Sequence, residues 1–400
     1  MKRKYMTIVT MLSAISLAAC GQTTTTSVSN STANAQTENS TATDEKPSSD
    51  DDASGVNADT DQDRVADKDN NDEEDATSGE ETTITVQDGS IKTKGDGVEV
   101  DGSTITITEA GTYRFSGTIE DGKIVIDAKK KEVVVIFDDF MITNDEESPV
   151  QCLAAKTFTV KLASGSENTV TDGRAAIAEE DTNQSDDTES SSDTDETEED
   201  VPDAAIYSKA DLVITGKGSL TVNGGYCDGI HSKDTLVIES GTLKVTATEH
   251  GINGKDSLTI NGGSIIVYGP ENSGNSAIDY NGTGVITGGE ILTTGMSGRM
   301  ADTFSEGSTQ SYIVYYTTST EDAGTSIEIV DADGNTIYED DGTEKKFNMV
   351  IYSSDDLKTG NTYTVKVGDS SESVEISDIE NTIGTASQDT MGGGMRNHFN

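Results

Sequence analysis

The chain has 400 residues and a formal net charge of −47, with 74 acidic side chains against 27 basic ones. A balance so one-sided excludes nucleic acid and an anionic membrane surface as direct partners, because both would be repelled. Only 3 cysteines are present, too few for a disulfide framework, and no Cys-x-x-Cys metal spacing occurs.

Residues 1–20 read as an export signal. Lys2, Arg3 and Lys4 form a positive start, and the apolar run from Met6 to Ala19 is too short to span a membrane as a mature helix. The run ends in Leu17-Ala18-Ala19-Cys20-Gly21, which resembles the bacterial lipobox. That resemblance implies cleavage before Cys20 and lipidation of its sulfur. The chain is then expected to be extracytoplasmic, held to the outer face of the cell membrane through this lipid alone.

Residues 21–82 are expected to be a disordered, acidic, Ser/Thr-rich linker. The stretch 22–82 holds 17 acidic and 3 basic residues and almost no aliphatic ones, so it lacks the apolar surface needed to order itself. As a flexible tether it would reach roughly 40–50 Å.

Strand-like alternation begins at Thr83 with Ile84, Val86 and Ile91, and continues through Val98, Val100, Ile105 and Ile107. Ile124–Ile126 and Val133–Phe137 follow as further apolar runs. Another repeat runs from Cys152 through Phe158 to Val170. There Cys152 aligns with Ile206 as a small buried hydrophobe, and the second strand lags by two residues. Residues 179–200 carry 12 acidic residues and no basic one, and are expected to be a disordered insertion inside the array.

The clearest pattern runs from Ala204 to Gly295. Ile206, Ile230, Ile252 and Ile278 recur at spacings of 24, 22 and 26 residues. Leu212, Leu236 and Leu258 recur with them, as do Leu220, Leu243 and Ile265. Such a period means stacked repeats, each burying its apolar face on the next. No convincing 3.6-residue period competes. The Leu-x-x-Leu-x-Leu pattern of leucine-rich repeats is missing, and a β-sandwich is the alternative fold. The expectation is an all-β chain, a right-handed parallel β-helix over 83–300 with a small antiparallel β cap over 301–380. The remaining 381–400 read as a disordered tail.

Several segments resemble the carbohydrate-binding domain-containing proteins of clostridia and their relatives. They are Ile105–Gly117, Glu167-Asn168-Thr169, Asp228-Gly229-Ile230 with its repeats, and Lys358–Tyr363. The resemblance implies a pectate-lyase-like β-helix, calcium as cofactor, and binding of cellulose or polygalacturonate-type polysaccharides. It transfers no individual ligand. The Asp-Gly-Ile turn is kept at Asp228, whereas His250 and Ser276 stand at the equivalent places.

Candidate residues come from columns that the repeat generates. Tyr207, His231, Asn253 and Asp279 each follow an inward isoleucine and form one outward column, a candidate carbohydrate surface. Asp228, Glu249 and Asp279 supply oxygen donors suited to calcium. Lys209, Lys233 and Lys255 form a second column able to face a polyanionic sugar. Their competing role is alternating surface charge. Tryptophan is absent, so tyrosines, Tyr280 among them, must supply any stacking ring. For a lyase, Arg174 and Arg299 are the arginines nearest the array, and neither sits in a carboxylate-rich repeat. The expected function is polysaccharide binding by a monomeric surface lipoprotein, without catalysis. The alternatives are a calcium-dependent polysaccharide lyase and an adhesive structural solenoid.

Overall fold

A computed structural model describes residues 81–176, 201–298 and 300–386. All of these lie in the second of two compact units, Asp72–Asn400. The export signal with Cys20, nearly all of the linker, the acidic insertion, Arg299 and the far end of the tail lie outside the described residues.

Among the described residues every regular element is a strand, and most strands pair in parallel. Inside the strands buried and half-exposed residues alternate, as in Asp211–Gly216 and Ser219–Gly224. This is what a period of two imposes on a strand with one face on a core. Three stacks result. The first runs through Thr104–Ile107, Lys123–Asp127, Val150–Ala154, Ala204–Ser208, Asp228–Ser232, Ile252–Gly254 and Ile278–Asp279. The second runs through Thr82–Gln87, Gly111–Ile119, Glu132–Asn144, Thr157–Leu162, Asp211–Gly216, Thr235–Ile238, Ser257–Ile260 and Thr283–Ile286. The third runs through Glu167–Asp172, Ser219–Gly224, Thr242–Ala247, Ser264–Tyr268 and Glu290–Gly295. The long strand Glu132–Asn144 pairs in both the second and third stacks and merges them into one sheet.

The registers set like side chain on like. Ile206, Ile230, Ile252 and Ile278 are Cα partners in series, and all four are fully buried. Phe158, Leu212, Leu236 and Leu258 form a second ladder, and Leu220, Leu243, Ile265 and Ile291 a third. Each side chain so buried stabilises the fold by about 1.5–3 kcal/mol relative to exposure. Gly241, Gly263 and Gly289 open successive strands of the third stack with φ of 114°, 99° and 92°. A Cβ on Gly263 would lie 2.8 Å from the Gly241 carbonyl oxygen, so this corner admits only glycine.

Upstream, one alignment changes. Ile206 pairs with Val150, and Cys152 pairs with Ser208 rather than with Ile206. The path from Cys152 to Phe158 takes six residues where Ser208 to Leu212 takes four, so the extra length sits in the corner. A two-residue slip leaves every side chain on its own face, and Cys152 is still fully buried. The lag of the next strand holds, with Asn168 opposite Leu220 and Val170 opposite Val222.

Beyond Gly295 the pairing turns antiparallel. Phe347–Ser353 pairs with Glu290–Gly295 and with Tyr312–Glu321, and so continues the large sheet. Ile327–Val330, Thr336–Asp340, Thr362–Val367 and Ser370–Glu375 form a separate four-stranded antiparallel sheet. A last strand, Glu380–Ile383, pairs with Tyr312–Glu321, so ordered structure runs past residue 380.

Candidate functional site

The first stack carries the polar column. Tyr207, His231, Asn253 and Asp279 are Cα partners in series, one step beyond the inward isoleucines. Their exposure differs from the expected open surface. Tyr207 is 0% exposed, His231 5% and Asn253 7%, whereas Asp279 is half-buried. Tyr207 meets the His231 ring edge-on at 5.8 Å and offers no open face to a sugar.

Around this column the acids and histidines interlock. His231 Nδ1 lies 2.8 Å from Asp203 Oδ1 and 3.6 Å from Asp228 Oδ2. The shorter contact is a hydrogen bond between the imidazole and the Asp203 carboxylate. Asp228 is 3% exposed and accepts from the His250 backbone N–H at 3.0 Å and from Asn253 Nδ2 at 3.1 Å. Burial pushes its carboxyl well above the usual range, and the nearby Asp203 charge adds to this. Burial works on Asp203 in the same sense, but the His231 hydrogen bond, the His231 and Lys233 charges and a backbone hydrogen bond together outweigh it and hold that carboxyl below its usual value. Two polar atoms remain without a hydrogen-bond partner: His231 Nε2 and Asn253 Oδ1, both buried. Buried polar atoms are normally satisfied, so a bare pair one repeat apart calls for a hydrogen-bond partner or a cation.

The column extends one repeat further than the sequence pattern indicated. Asp302 hydrogen-bonds to Asp279, and its backbone N–H donates to Ser276 Oγ at 3.0 Å. Burial, and then the Asp279 charge, raise Asp302 to about 6. His250 Nδ1 accepts from the Ser276 N–H at 3.1 Å and lies 3.9 Å from Asp279 Oδ1. Asp302 lies in a stretch without a strand or an isoleucine signature. A count of 23 residues on from Asp279 was the only available signal.

Other candidates are placed differently. Tyr280 turns inward, where Gly284 stands opposite Leu258. A Cβ on Gly284 would lie 2.0 Å from the Tyr280 ring, so the ring fills the leucine's place. Its hydroxyl donates to the Thr303 carbonyl. Tyr280 is therefore a packing residue and not a sugar platform. The Tyr226 ring is covered by the Arg174 guanidinium at 4.0 Å. Arg174 is itself bound to Asp172 at 2.9 and 2.6 Å and to the Pro202 carbonyl at 3.0 Å. Lys209 and Lys255 are exposed and Lys233 half-buried. They stack one per repeat through backbone bonds such as Lys233 N–H to the Ser208 carbonyl at 2.8 Å. Burial and then the charges of Asp211 and Asp256 raise Asp234, so an acidic ladder runs beside the lysines and the face carries both signs.

Among the described residues no three His, Cys, Asp or Glu side chains converge as a metal-binding group. Asp228, Glu249 and Asp279 thus do not form one site. Both Asp228 oxygens are already engaged, and burial favours its neutral form. The Glu249 backbone N–H donates to the Cys227 carbonyl at 2.9 Å. Both described cysteines are buried with raised thiol pKa values, Cys152 to about 11 through burial, so neither is a nucleophile.

Comparison with known proteins follows this geometry. A carbohydrate-binding domain-containing protein of Acetivibrio thermocellus is 33% identical over 153 residues, 38% of this chain and 48% of the relative. The match thus spans about half the length of that relative. A solved structure described as the polysaccharide lyase-like protein from C. thermocellum, gadolinium derivative, is 26% identical. It covers 56% of this chain and 89% of its own, at a TM-score of 0.43. The family model for carbohydrate-binding domain-containing proteins matches residues 101–397, well over half of the chain, and the chain belongs to that family.

Proposed function

We propose that this protein is a surface lipoprotein that binds polysaccharide without cleaving it, assisted by calcium. The observation that carries the reading is the family match across 101–397, joined to a column of acceptors at one-repeat spacing. A hydroxyl-rich polymer supplies donors at regular intervals, and acceptors stacked at ~4.8 Å suit it. The three parallel stacks support a right-handed parallel β-helix as the scaffold. Asp279 and Asp302 are the half-buried members of the site, and His231 and Asn253 its buried ones. The lipobox-like run ending at Cys20 supports attachment to the outer face of the cell membrane, with the chain acting as a monomer.

The donors that fit calcium are Asp279, Asp302 and the bare Asn253 Oδ1, all oxygen and adjacent in the column. The ion would offset the burial and the Asp279 charge that together raise Asp302. His231 Nε2 would remain to bond a sugar hydroxyl.

Pull-down of the purified full chain on cellulose and on pectate, with calcium and with chelator, tests this. Retention that chelator reduces is the expected result. No retention on either glycan would remove the binding reading, and an unsaturated, ultraviolet-absorbing product would replace it with a lyase. Calcium should also raise Tm in the wild type and not in Asp302→Asn.

A further inference from the structure

Four Asn-Gly pairs occur in the chain, at Asn223, Asn253, Asn261 and Asn281, and all four fall in the repeats. Packing requires each glycine. A Cβ on Gly224, Gly254, Gly262 or Gly282 would lie 2.4, 2.3, 2.6 or 2.2 Å from the backbone carbonyl oxygen of Asp228, Ser257, Glu239 or Asp256, in that order. No side chain tolerates so close an approach, so the fold keeps a glycine after each of these asparagines. A glycine there leaves its backbone nitrogen open to the asparagine's own side chain.

The four asparagines are not held alike. Asn223 Nδ2 donates to Thr171 Oγ1 at 3.0 Å and Asn253 Nδ2 to Asp228 at 3.1 Å, and both residues sit in strands. Asn261 lies at a corner, but its Nδ2 donates to Glu239 at 3.1 Å and its Oδ1 accepts from the Thr287 hydroxyl at 2.7 Å. Each of the three is thus pinned to a neighbouring repeat. Asn281 and Gly282 are both exposed, in the corner between the strands Ile278–Asp279 and Thr283–Ile286. The Asn281 backbone N–H donates to the Lys255 carbonyl at 2.8 Å, and among the described residues its side chain makes no hydrogen bond. Asn281 also stands where the lysine column would continue. It follows Ile278 at the same distance in sequence as Lys209, Lys233 and Lys255 follow Ile206, Ile230 and Ile252.

We propose that Asn281 is a site of spontaneous deamidation, which turns the neutral end of the lysine column into a carboxylate. The Gly282 backbone nitrogen loses its proton and attacks Cγ of the Asn281 amide. The bond from Cγ to Nδ2 breaks, ammonia leaves with that proton, and a cyclic imide remains. Water then opens the imide. Attack at Cγ gives aspartate, and attack at the main-chain carbonyl carbon gives isoaspartate, with the chain running through the former side chain. Water is the only other reactant. The aspartate sets a negative charge one repeat on from Lys255. The isoaspartate lengthens the main chain directly after Tyr280, whose ring packs on the core.

Peptide mapping by mass spectrometry tests this, on the purified full chain warmed at mildly alkaline pH in heavy-oxygen water. Labelled acid should accumulate at Asn281 roughly tenfold faster than at Asn223, Asn253 or Asn261, the factor that one restraining hydrogen bond is worth. In denaturant all four should convert at similar rates, since each follows a bulky residue (Val222, Ile252, Ile260, Tyr280) and precedes glycine. Isoaspartate-specific methyl labelling should mark the aged wild type, and most of that label should be lost in Asn281→Gln. Equal conversion of all four asparagines in the folded chain overturns the proposal, as does faster conversion at Asn261. So does an Asn281 that converts in denaturant but not in the fold, or isoaspartate label that persists undiminished in Asn281→Gln.

Discussion

The carboxyl pair Asp279–Asp302 shows how one residue couples the site to stability. Burial, and then the Asp279 charge, raise Asp302 from the usual 3.8 to about 6 in the fold, so between those values the folded state holds a proton the unfolded state has released. Stability therefore falls as pH rises through this window, since the native state binds more protons there. Above pH 6 Asp302 is charged, and both its burial and its repulsion with the Asp279 charge are fully felt. Asp302→Asn removes that repulsion and keeps the shape. In calcium-free buffer it should raise Tm at pH 7.5 and leave Tm near pH 4 almost unchanged. Thermal melts of both proteins at the two pH values check this, and an equal shift at both would detach the effect from the charge pair. Asp228, also raised, is a different case. Its oxygens are held by His250 N–H and Asn253, so Asp228→Ala should leave these two donors unpaired and destabilise by about 1–3 kcal/mol for each, with the loss largest at low pH because burial raises Asp228 and its own contribution fades as pH rises.

At the scale of the strand, the aliphatic ladders do most of the specifying. Ile252 lies between Ile230 and Ile278 and is fully buried, so Ile252→Ala should cost about 2–5 kcal/mol, read from denaturant unfolding. The same ladder was legible in the sequence, because side chains that stack on their own kind recur at the repeat length. Outward columns were legible as columns for the same reason. Their exposure was not, since a period of two shows which face a side chain takes but not what later folds across that face. Tyr207 is outward and fully buried, and Tyr268 is outward and lies under residues from 72 positions further along the chain. Cys152 was placed two residues out of register because corners vary in length while strand pairing does not. Asp302 was missed because its repeat has no strand to carry the pattern, although its backbone still bonds to Ser276 below it.

For the whole ordered unit, two hydrophobic cores share one wall. Tyr312, Val314, Met349 and Ile351 belong to the core inside the parallel stacks, and Ile313, Tyr315, Val350 and Tyr352 to the core of the antiparallel sheet. These residues alternate along Tyr312–Tyr315 and Met349–Tyr352 in the strands Tyr312–Glu321 and Phe347–Ser353, so those stretches are buried on both faces. Neither core can open without exposing that wall. The linkage predicts a single cooperative thermal transition. Ile351→Ala cuts into the first core and Ile313→Ala into the second, and each should destabilise by about 2–5 kcal/mol. Calorimetry of the full chain should show both variants moving the same peak downward by several degrees. If Ile313→Ala instead split off a separate early transition, the two cores would be independent folding units. The parallel stacks would then have to hold their last strand, Glu290–Gly295, without the antiparallel partner that now covers its edge.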